Sequence, residues 1–375
     1  MPDHSNKMLL TKEQNIMQPI SVCIIAKNEE SHIEKCLSSI KPFGFEIIVV
    51  DTGSTDRTKE IAGKYANQVL DFAWNDDFSA ARNYSLRAAS NNWIFILDSD
   101  EYIKQIDVDE LNYFRKHLAD AVGSVSRENI VTENGQLVLN NIDYTERFFD
   151  KRLYHYTGMI HEQLTPIKGK NFPNYLLKTT LTHTGYDLTK EERIAKAQRY
   201  LTLLLQQLQA EPDNPYLYYQ IGKSYEMMED YESACDYYNK GLDFNLDPEL
   251  AYVQAMVVSY GNSLLAMGRP DLAMGLEAVY DDFSMSADFV YLMGNIYKSV
   301  MQYEKALLEY QKAVGMPLCK QYGANSFLPA YQIGRICEVM NDFSSAILCY
   351  QQCGDFPPAR ERLTVLSKRY SPRQI

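Results

Sequence analysis

Paired cysteines, long apolar runs and an excess of positive charge are all missing from this sequence. Its seven cysteines (Cys23, Cys36, Cys235, Cys319, Cys337, Cys349 and Cys353) form no C-x-x-C pair. The nearest two, Cys349 and Cys353, have no companion pair, which removes the usual zinc spacing. An odd count at irregular spacing fits reduced thiols, so a cytoplasmic protein is expected. No apolar run reaches the roughly 18 residues of a membrane span. The opening "MPDHSNKMLLTKEQNIMQP" has no apolar core of signal-peptide length. Neither a transmembrane segment nor a secretory leader is therefore expected. Lys and Arg total 37 against 49 Asp and Glu, a net charge of −12. Nucleic acid and anionic membranes attract basic surfaces, so nucleic acid is not an expected partner. An anionic ligand needs a local device here, such as a metal ion or backbone amides.

What is present falls into two halves. The chain has 375 residues, enough for two or three domains of about 100–200 residues each. The first half alternates. "ISVCIIA", "FEIIVVD", "NQVLDFAW" and "WIFILD" read as buried strands, and "EESHIEKCLSSI", "STDRTKEIAGKYA" and "FSAARNYSLRAAS" between them read as helices. Such βαβ alternation predicts a parallel, doubly wound α/β sheet. Ligands of these sheets bind beyond the carboxyl ends of the strands. The polar clusters Lys27–Glu30, Asp51–Asp56 and Asp98–Glu101 sit there.

From about Asp187 the chain reads as helical throughout and repeats. Gly222, Ala234, Tyr238 and Gly241 recur in register as Gly294, Ala306, Tyr310 and Ala313, and again as Gly334, Ala346, Tyr350 and Cys353. Gly261 with Ala273 is a weaker copy. The pattern resembles the tetratricopeptide repeat, in which small residues let two antiparallel helices pack closely. "TKEERIAKAQRYLTLLLQQL" reads as a bridging helix before the repeats. Most of the aromatics here are expected in the repeat core, and the remainder would line a groove suited to extended peptides.

The chemistry-bearing stretch is "WIFILDSDEY". Asp98 and Asp100 lie at i, i+2 just past a strand, where two carboxylates can converge on a hard cation such as Mg²⁺ or Mn²⁺. A lone D-x-D is common in loops, but this one follows "IIAKNEE", "IIVVDTGSTDRT" and "FSAARN" in order. With those four motifs, the chain up to about Gly185 resembles a family 2 glycosyltransferase of GT-A fold. The resemblance implies a Rossmann-like, mainly parallel α/β domain followed by an all-α tetratricopeptide-repeat solenoid. The expected divisions are an N-terminal arm over 1–17, expected to be flexible, a GT-A domain over 18–186, and a repeat domain over 187–375. It further implies that Ala26, Asn28, Glu29, Gly53, Ser54 and Ser99 help hold the nucleotide. By the same resemblance Asp51 contacts the base, and Asp98 and Asp100 take the ribose and the metal on the diphosphate. Arg82 is either a further donor to base or phosphate or a surface helix arginine.

Downstream, "YHYTGMIHEQLTP" carries His161 and Glu162, and "THTGY" carries His183. An H-E pair followed by a later H-x-x-Y is similar to a subgroup containing lipopolysaccharide-core glucosyltransferases and peptide S-glycosyltransferases of the sublancin type. That likeness implies Glu162 as general base, with His161 left open for the same role, and His183 as a metal ligand beside Asp98 and Asp100. Inversion at an anomeric carbon needs a base on the face opposite the leaving diphosphate.

The leading expectation is an inverting, metal-dependent enzyme using Mn²⁺ or Mg²⁺. It would move a hexose or N-acetylhexosamine from a nucleotide-diphosphate sugar, with a UDP-sugar expected, to a Cys or Ser/Thr side chain of a peptide or protein held by the repeats. One alternative keeps the chemistry but transfers to a cell-envelope saccharide or lipid-linked glycan. Another is an inactive transferase serving as a repeat scaffold. A homodimer is left open, as are the sugar and the acceptor. Glu101 is expected to be a loop or helix-capping residue.

Overall fold

The computed structural model describes residues 19–133, 136–169, 173–184, 189–317 and 319–369. The arm expected over 1–17 lies outside the described residues, as does Tyr186 of the H-x-x-Y motif. The chain divides into two compact units: Met1–Arg127 with Tyr144–Gly185, and Glu128–Asp143 with Tyr186–Ile375. The second unit therefore takes an internal segment as well as the C-terminal one. The sequence suggested a single crossing.

The first unit is built on strands β1 (Ile20–Ala26), β2 (Glu46–Asp51), β3 (Gln68–Asp71), β4 (Trp93–Ile96), β5 (Glu101–Gln105), β6 (Val122–Glu133), β7 (Gln136–Asp150), β8 (Tyr154–Thr157), β9 (Gln163–Pro166) and β10 (Asn174–His183), of which β6 and β7 run on into the Glu128–Asp143 segment of the second unit. Its helices are α1 (Ile33–Ile40), α2 (Thr58–Ala62), α3 (Phe78–Ala88) and α4 (Val108–His117). Eight strands form one sheet in the order β3-β2-β1-β4-β7-β6-β10-β5. The predicted parallel set is present, because β2 pairs with β1 and β3 in parallel and β1 pairs with β4 in parallel. Every residue of β2 and β4 is buried, which is why they read as unbroken apolar runs. Beyond β4 the sheet turns antiparallel, at β4–β7 and at β10–β5. The core between sheet and helices holds Ile24, Ile33, Leu37, Ile40, Phe95 and Phe148 with essentially no exposure. Fully burying each such side chain contributes about 1.5–3 kcal/mol.

In the second unit, α5 (Lys190–Ala210) is the predicted bridging helix and starts with a capping box between Thr189 and Glu192. The repeats follow as α6 (Pro215–Met227) with α7 (Tyr231–Leu242), and α8 (Ala251–Ala266) with α9 (Pro270–Ala273) and α10 (Tyr280–Phe283). Then come α11 (Ala287–Ser299) with α12 (Tyr303–Ala313), α13 (Phe327–Val339) with α14 (Phe343–Gln352), and a last helix α15 (Pro357–Arg369). The weaker copy is the one whose second helix is broken, into single turns joined by a 3-10 segment at Met274–Val279. The glycine register has a steric cause. A Cβ on Gly222 would lie 2.3 Å from the Tyr238 ring, and on Gly294 or Gly334 it would lie 2.6 Å from the Tyr310 or Tyr350 ring. Those three tyrosines are fully buried and cannot swing aside. Gly294→Ala is therefore expected to lower stability by about 1–3 kcal/mol through overpacking, although alanine is intrinsically the better helix former by roughly 1 kcal/mol. Urea unfolding measures it, and a stabilised variant would show the packing account to be wrong.

Candidate active site

Two loops lace together at the carboxyl ends of β1 and β2. Asn28, at φ 55°, donates its N–H to Ser54 Oγ at 2.9 Å, and its Oδ1 accepts from Thr55 N–H at 2.8 Å. The Glu29 N–H donates to Thr58 Oγ1 at 2.7 Å. Asp51 closes the β2 end, where its Oδ2 accepts from the Gly53 and Ser54 N–H groups at 3.0 and 2.9 Å. Gly53 sits at φ 102°, a conformation L side chains rarely adopt. Ala26 is the in-register neighbour of Asp51, and its carbonyl accepts from the Thr52 N–H. Asn28, Glu29, Gly53 and Ser54 thus shape the loops chiefly through their own hydrogen bonds. The exception is Asp51 Oδ1, which is buried and has no hydrogen-bond partner among the described residues. A buried acceptor without a donor is costly, so this atom is available for a ligand N–H.

The D-x-D segment lies between β4 and β5, with Ser99 buried between the two aspartates. Both oxygens of Asp98 are held by guanidinium groups: Oδ1 accepts from Arg82 Nη2 at 2.5 Å and Oδ2 from Arg147 Nη2 at 2.8 Å. Burial works against the charge of Asp98, but Arg147 and Arg82 outweigh it and hold the carboxyl well below the usual range. Asp98, expected as a metal ligand, is therefore engaged by two arginines. Asp100 is turned elsewhere: its Oδ2 lies 3.1 Å from Nε2 of His183, at the end of β10. The carbonyl of Asp100 also accepts from the Thr184 N–H and hydroxyl. His183 is opposite Glu101 in the β10–β5 ladder, so strand pairing is what brings it to the D-x-D.

Glu101 corrects an expectation. It is neither a loop nor a capping residue but a fully buried member of β5. One oxygen accepts from Arg147 at 2.7 Å and Arg127 at 3.3 Å, and the other accepts from the Asp98 N–H at 3.0 Å. It braces the turn that presents Asp98. Arg82 is not a surface arginine, having only 7% exposure. The helix that carries it, α3, is capped by Asp77, whose side chain accepts from the Ala80 N–H. Arg82 Nε donates to Glu162 Oε1 at 2.7 Å, so one guanidinium joins Asp98 to Glu162. Its third nitrogen, Nη1, is buried and has no hydrogen-bond partner among the described residues. His161 and Glu162 follow Gly158 in a loop fixed to α3 by the Phe78 N–H on the Met159 carbonyl, with His161 at φ 51°. Cys36 also lies against the segment, with its Sγ 3.5 Å from the Asp98 carbonyl. Burial first, then Glu101, Asp100 and Asp98, push its thiol well above the ordinary value and keep it protonated.

Among the described residues no three His, Cys, Asp or Glu side chains gather as a ready metal site. Two ligating groups do meet, Asp100 and His183. An oxygen and an imidazole nitrogen suit Mn²⁺, and Mg²⁺ or Mn²⁺ commonly completes its shell with water and substrate phosphates. The donor set therefore fits a cation shared with a diphosphate.

Residues 21–165 match the pattern described as glycosyl transferase family 2, and residues 215–248 match the tetratricopeptide repeat. The chain carries a family 2 glycosyltransferase domain and a tetratricopeptide repeat. The glycosyltransferase is 26% identical to the SPbeta prophage-derived glycosyltransferase SunS of Bacillus subtilis over 77% of this chain and 69% of that one. It is 28% identical to a TPR repeat-containing protein of Synechococcus elongatus over 74% of this chain and 69% of that one. An uncharacterized glycosyltransferase of Rickettsia bellii is 35% identical over 51% of this chain and 66% of that one. In the glycosyltransferase, sequence reasoning missed Arg147 altogether and dismissed Glu101. Arg147 lies in no motif, since β7 meets β4 only through antiparallel pairing, and Glu101, although it follows the D-x-D directly, is buried because it opens β5. Among the described residues no helix is long and apolar enough to cross a membrane.

Proposed function

We propose that the enzyme is an inverting, divalent-metal-dependent transferase. It moves a hexose or N-acetylhexosamine from a UDP-sugar to a Cys or Ser/Thr side chain of a peptide. The observation that carries this reading is the Arg82 bridge, which joins the donor-side carboxylate Asp98 to the base candidate Glu162 through one buried group. Asp51 Oδ1 takes the N–H of the nucleobase. Asp100 and His183 hold Mn²⁺ or Mg²⁺, which when bound neutralises charge developing on the leaving diphosphate. Arg82 and Arg147 fix Asp98 toward the ribose, with Ser99 packed between the aspartates. Glu162 accepts the acceptor proton as the sugar–acceptor bond forms, with His161 beside it as the other candidate base. The peptide acceptor is supported by the repeats, whose grooves suit extended chains.

Glu162→Gln is expected to lower the transfer rate by about 10²–10⁴-fold while leaving UDP affinity unchanged. Steady-state kinetics and a UDP titration read the two effects separately, and an unaltered rate removes Glu162 as base. The overall reading is tested by a donor screen with Mn²⁺ that follows nucleotide release, and then by intact-mass analysis of candidate peptides. A gain of one sugar on a peptide supports it. Transfer only to an envelope glycan overturns the acceptor assignment.

A further inference from the structure

The chain has two tryptophans, and they are placed differently. Trp93 opens β4 inside the core, where its ring stacks on Phe148 at 5.0 Å and meets Phe114 edge-on. Trp74 lies in the loop between β3 and α3 and is only partly buried. The apolar clusters on the two faces of the sheet do not include it. Among the described residues one ring packs on it, that of Phe78, at 4.7 Å and 73°. An edge-to-face contact of this kind uses at most one face of the indole. The polar edge of the ring is held locally, because Nε1 donates to Asp76 Oδ1 at 2.9 Å. Asp76 adopts a φ of 60° there, a conformation uncommon outside glycine and costly for other residues. The next residue, Asp77, caps α3. One aspartate thus sets the indole, and its neighbour starts the helix that carries Arg82.

The loop is pinned to the candidate active site at both ends. The Phe72 N–H donates to the Asp51 carbonyl at 2.8 Å, and the Phe78 N–H donates to the Met159 carbonyl at 2.8 Å. Asp51 stands at the nucleotide end, and Met159 belongs to the loop that carries Glu162. Phe78 and Arg82 lie one helical turn apart on α3 and so share a face. Arg82 in turn reaches Asp98 and Glu162. Trp74 is therefore tied into the stretch between the nucleotide end and the base candidate, where a transferred sugar has to lie.

We propose that Trp74 is the platform for the pyranose ring of the donor. A pyranose carries an apolar face of C–H groups polarised by neighbouring oxygens, which suits the electron-rich face of an indole. The inference rests on the nucleotide-sugar reading above. It adds a residue that senses the sugar rather than the nucleotide.

The test uses the full chain with Mg²⁺ and compares UDP with UDP-glucose, UDP-galactose and UDP-N-acetylglucosamine. Indole emission and calorimetric affinity are read for the parent, Trp74→Leu and Trp74→Phe. Trp93 is common to all three and, at 8% exposure, gives a constant background. At least one UDP-sugar is expected to shift the emission of the parent, and UDP alone is not. Trp74→Leu should lose that shift and about three- to tenfold in affinity for the same UDP-sugar. Its UDP affinity should be unchanged, which also reports an intact fold. Trp74→Phe should recover most of the affinity. A shift caused by UDP alone, or an equal loss for UDP and UDP-sugar in Trp74→Leu, overturns the inference. So does a UDP-sugar affinity that Trp74→Leu leaves untouched. If the parent binds a UDP-sugar but nothing depends on Trp74, the inference fails and the donor reading stands. If the parent binds neither UDP nor any of the UDP-sugars, both fail.

Discussion

Replacing Arg82 with methionine is expected to destabilise the transferase unit by about 3–5 kcal/mol and to abolish activity. The side chain is almost fully buried and makes two ion pairs, at 2.5 Å to Asp98 and 2.7 Å to Glu162. Methionine fills much of the volume but leaves both carboxylates short of a partner. Asp98 keeps Arg147, whereas among the described residues only Arg82 donates to Glu162. Arg82→Lys should recover part of the stability and little of the activity, because an ammonium cannot reach both carboxylates as a planar fork does. Urea unfolding of the three proteins measures the series. A methionine variant within about 0.5 kcal/mol of the parent would show that the network is incidental. The pH dependence has a definite sign. Asp98 has a folded value below its unfolded one, so the unfolded chain binds more protons in acid and its contribution is fully present above about pH 4. That contribution drains as pH falls through the folded value. Acid sensitivity arising from this group should be weaker in Arg82→Met.

Removing the Asp100 carboxylate should cost donor turnover roughly 10³-fold or more, since a group acting directly on the leaving diphosphate is worth at least that of one oxyanion donor. Asp100→Asn keeps the shape, and its carbonyl can still accept from Thr184. Fold and stability should stay near those of the parent, and the loss should fall on Mn²⁺-dependent UDP binding and on kcat. His183→Ala should fail in the same way. If the two residues hold one cation, the double variant should be hardly worse than either single one. Losses that multiply across the pair would separate their roles, and full turnover by Asp100→Asn would remove the cation site from the D-x-D altogether.

The parallel strands were legible because burial on both faces writes itself as an unbroken apolar run, as in "EIIVVD" and "WIFI". The repeats were legible because Gly222, Gly294 and Gly334 each lie under a tyrosine ring that admits no Cβ. The antiparallel strands left little trace, since β7 and β10 are only partly buried along their length. The contacts those strands create were hidden as well. Arg147 reaches Asp98 across the sheet, and Glu101 meets that same guanidinium. Arg82 was visible as a residue, yet its two readings differed only in which face of α3 turns inward. Ala81, Arg82 and Ser85 are buried together, so an arginine on that face must be paired.

The second unit owns Glu128–Asp143 as well as the helices, and within it the Ile142 N–H donates to the Lys320 carbonyl while Asn141 forms a bridge with Gln321. No single peptide bond, when cut, releases both units whole. A chain ended at residue 185 would keep Glu128–Asp143 while losing the residues that segment is bonded to, and would expose a strand end with no designed partner. Excision of the repeats, in the laboratory or in evolution, thus requires two edits rather than one. Along the chain the two units alternate rather than follow one another.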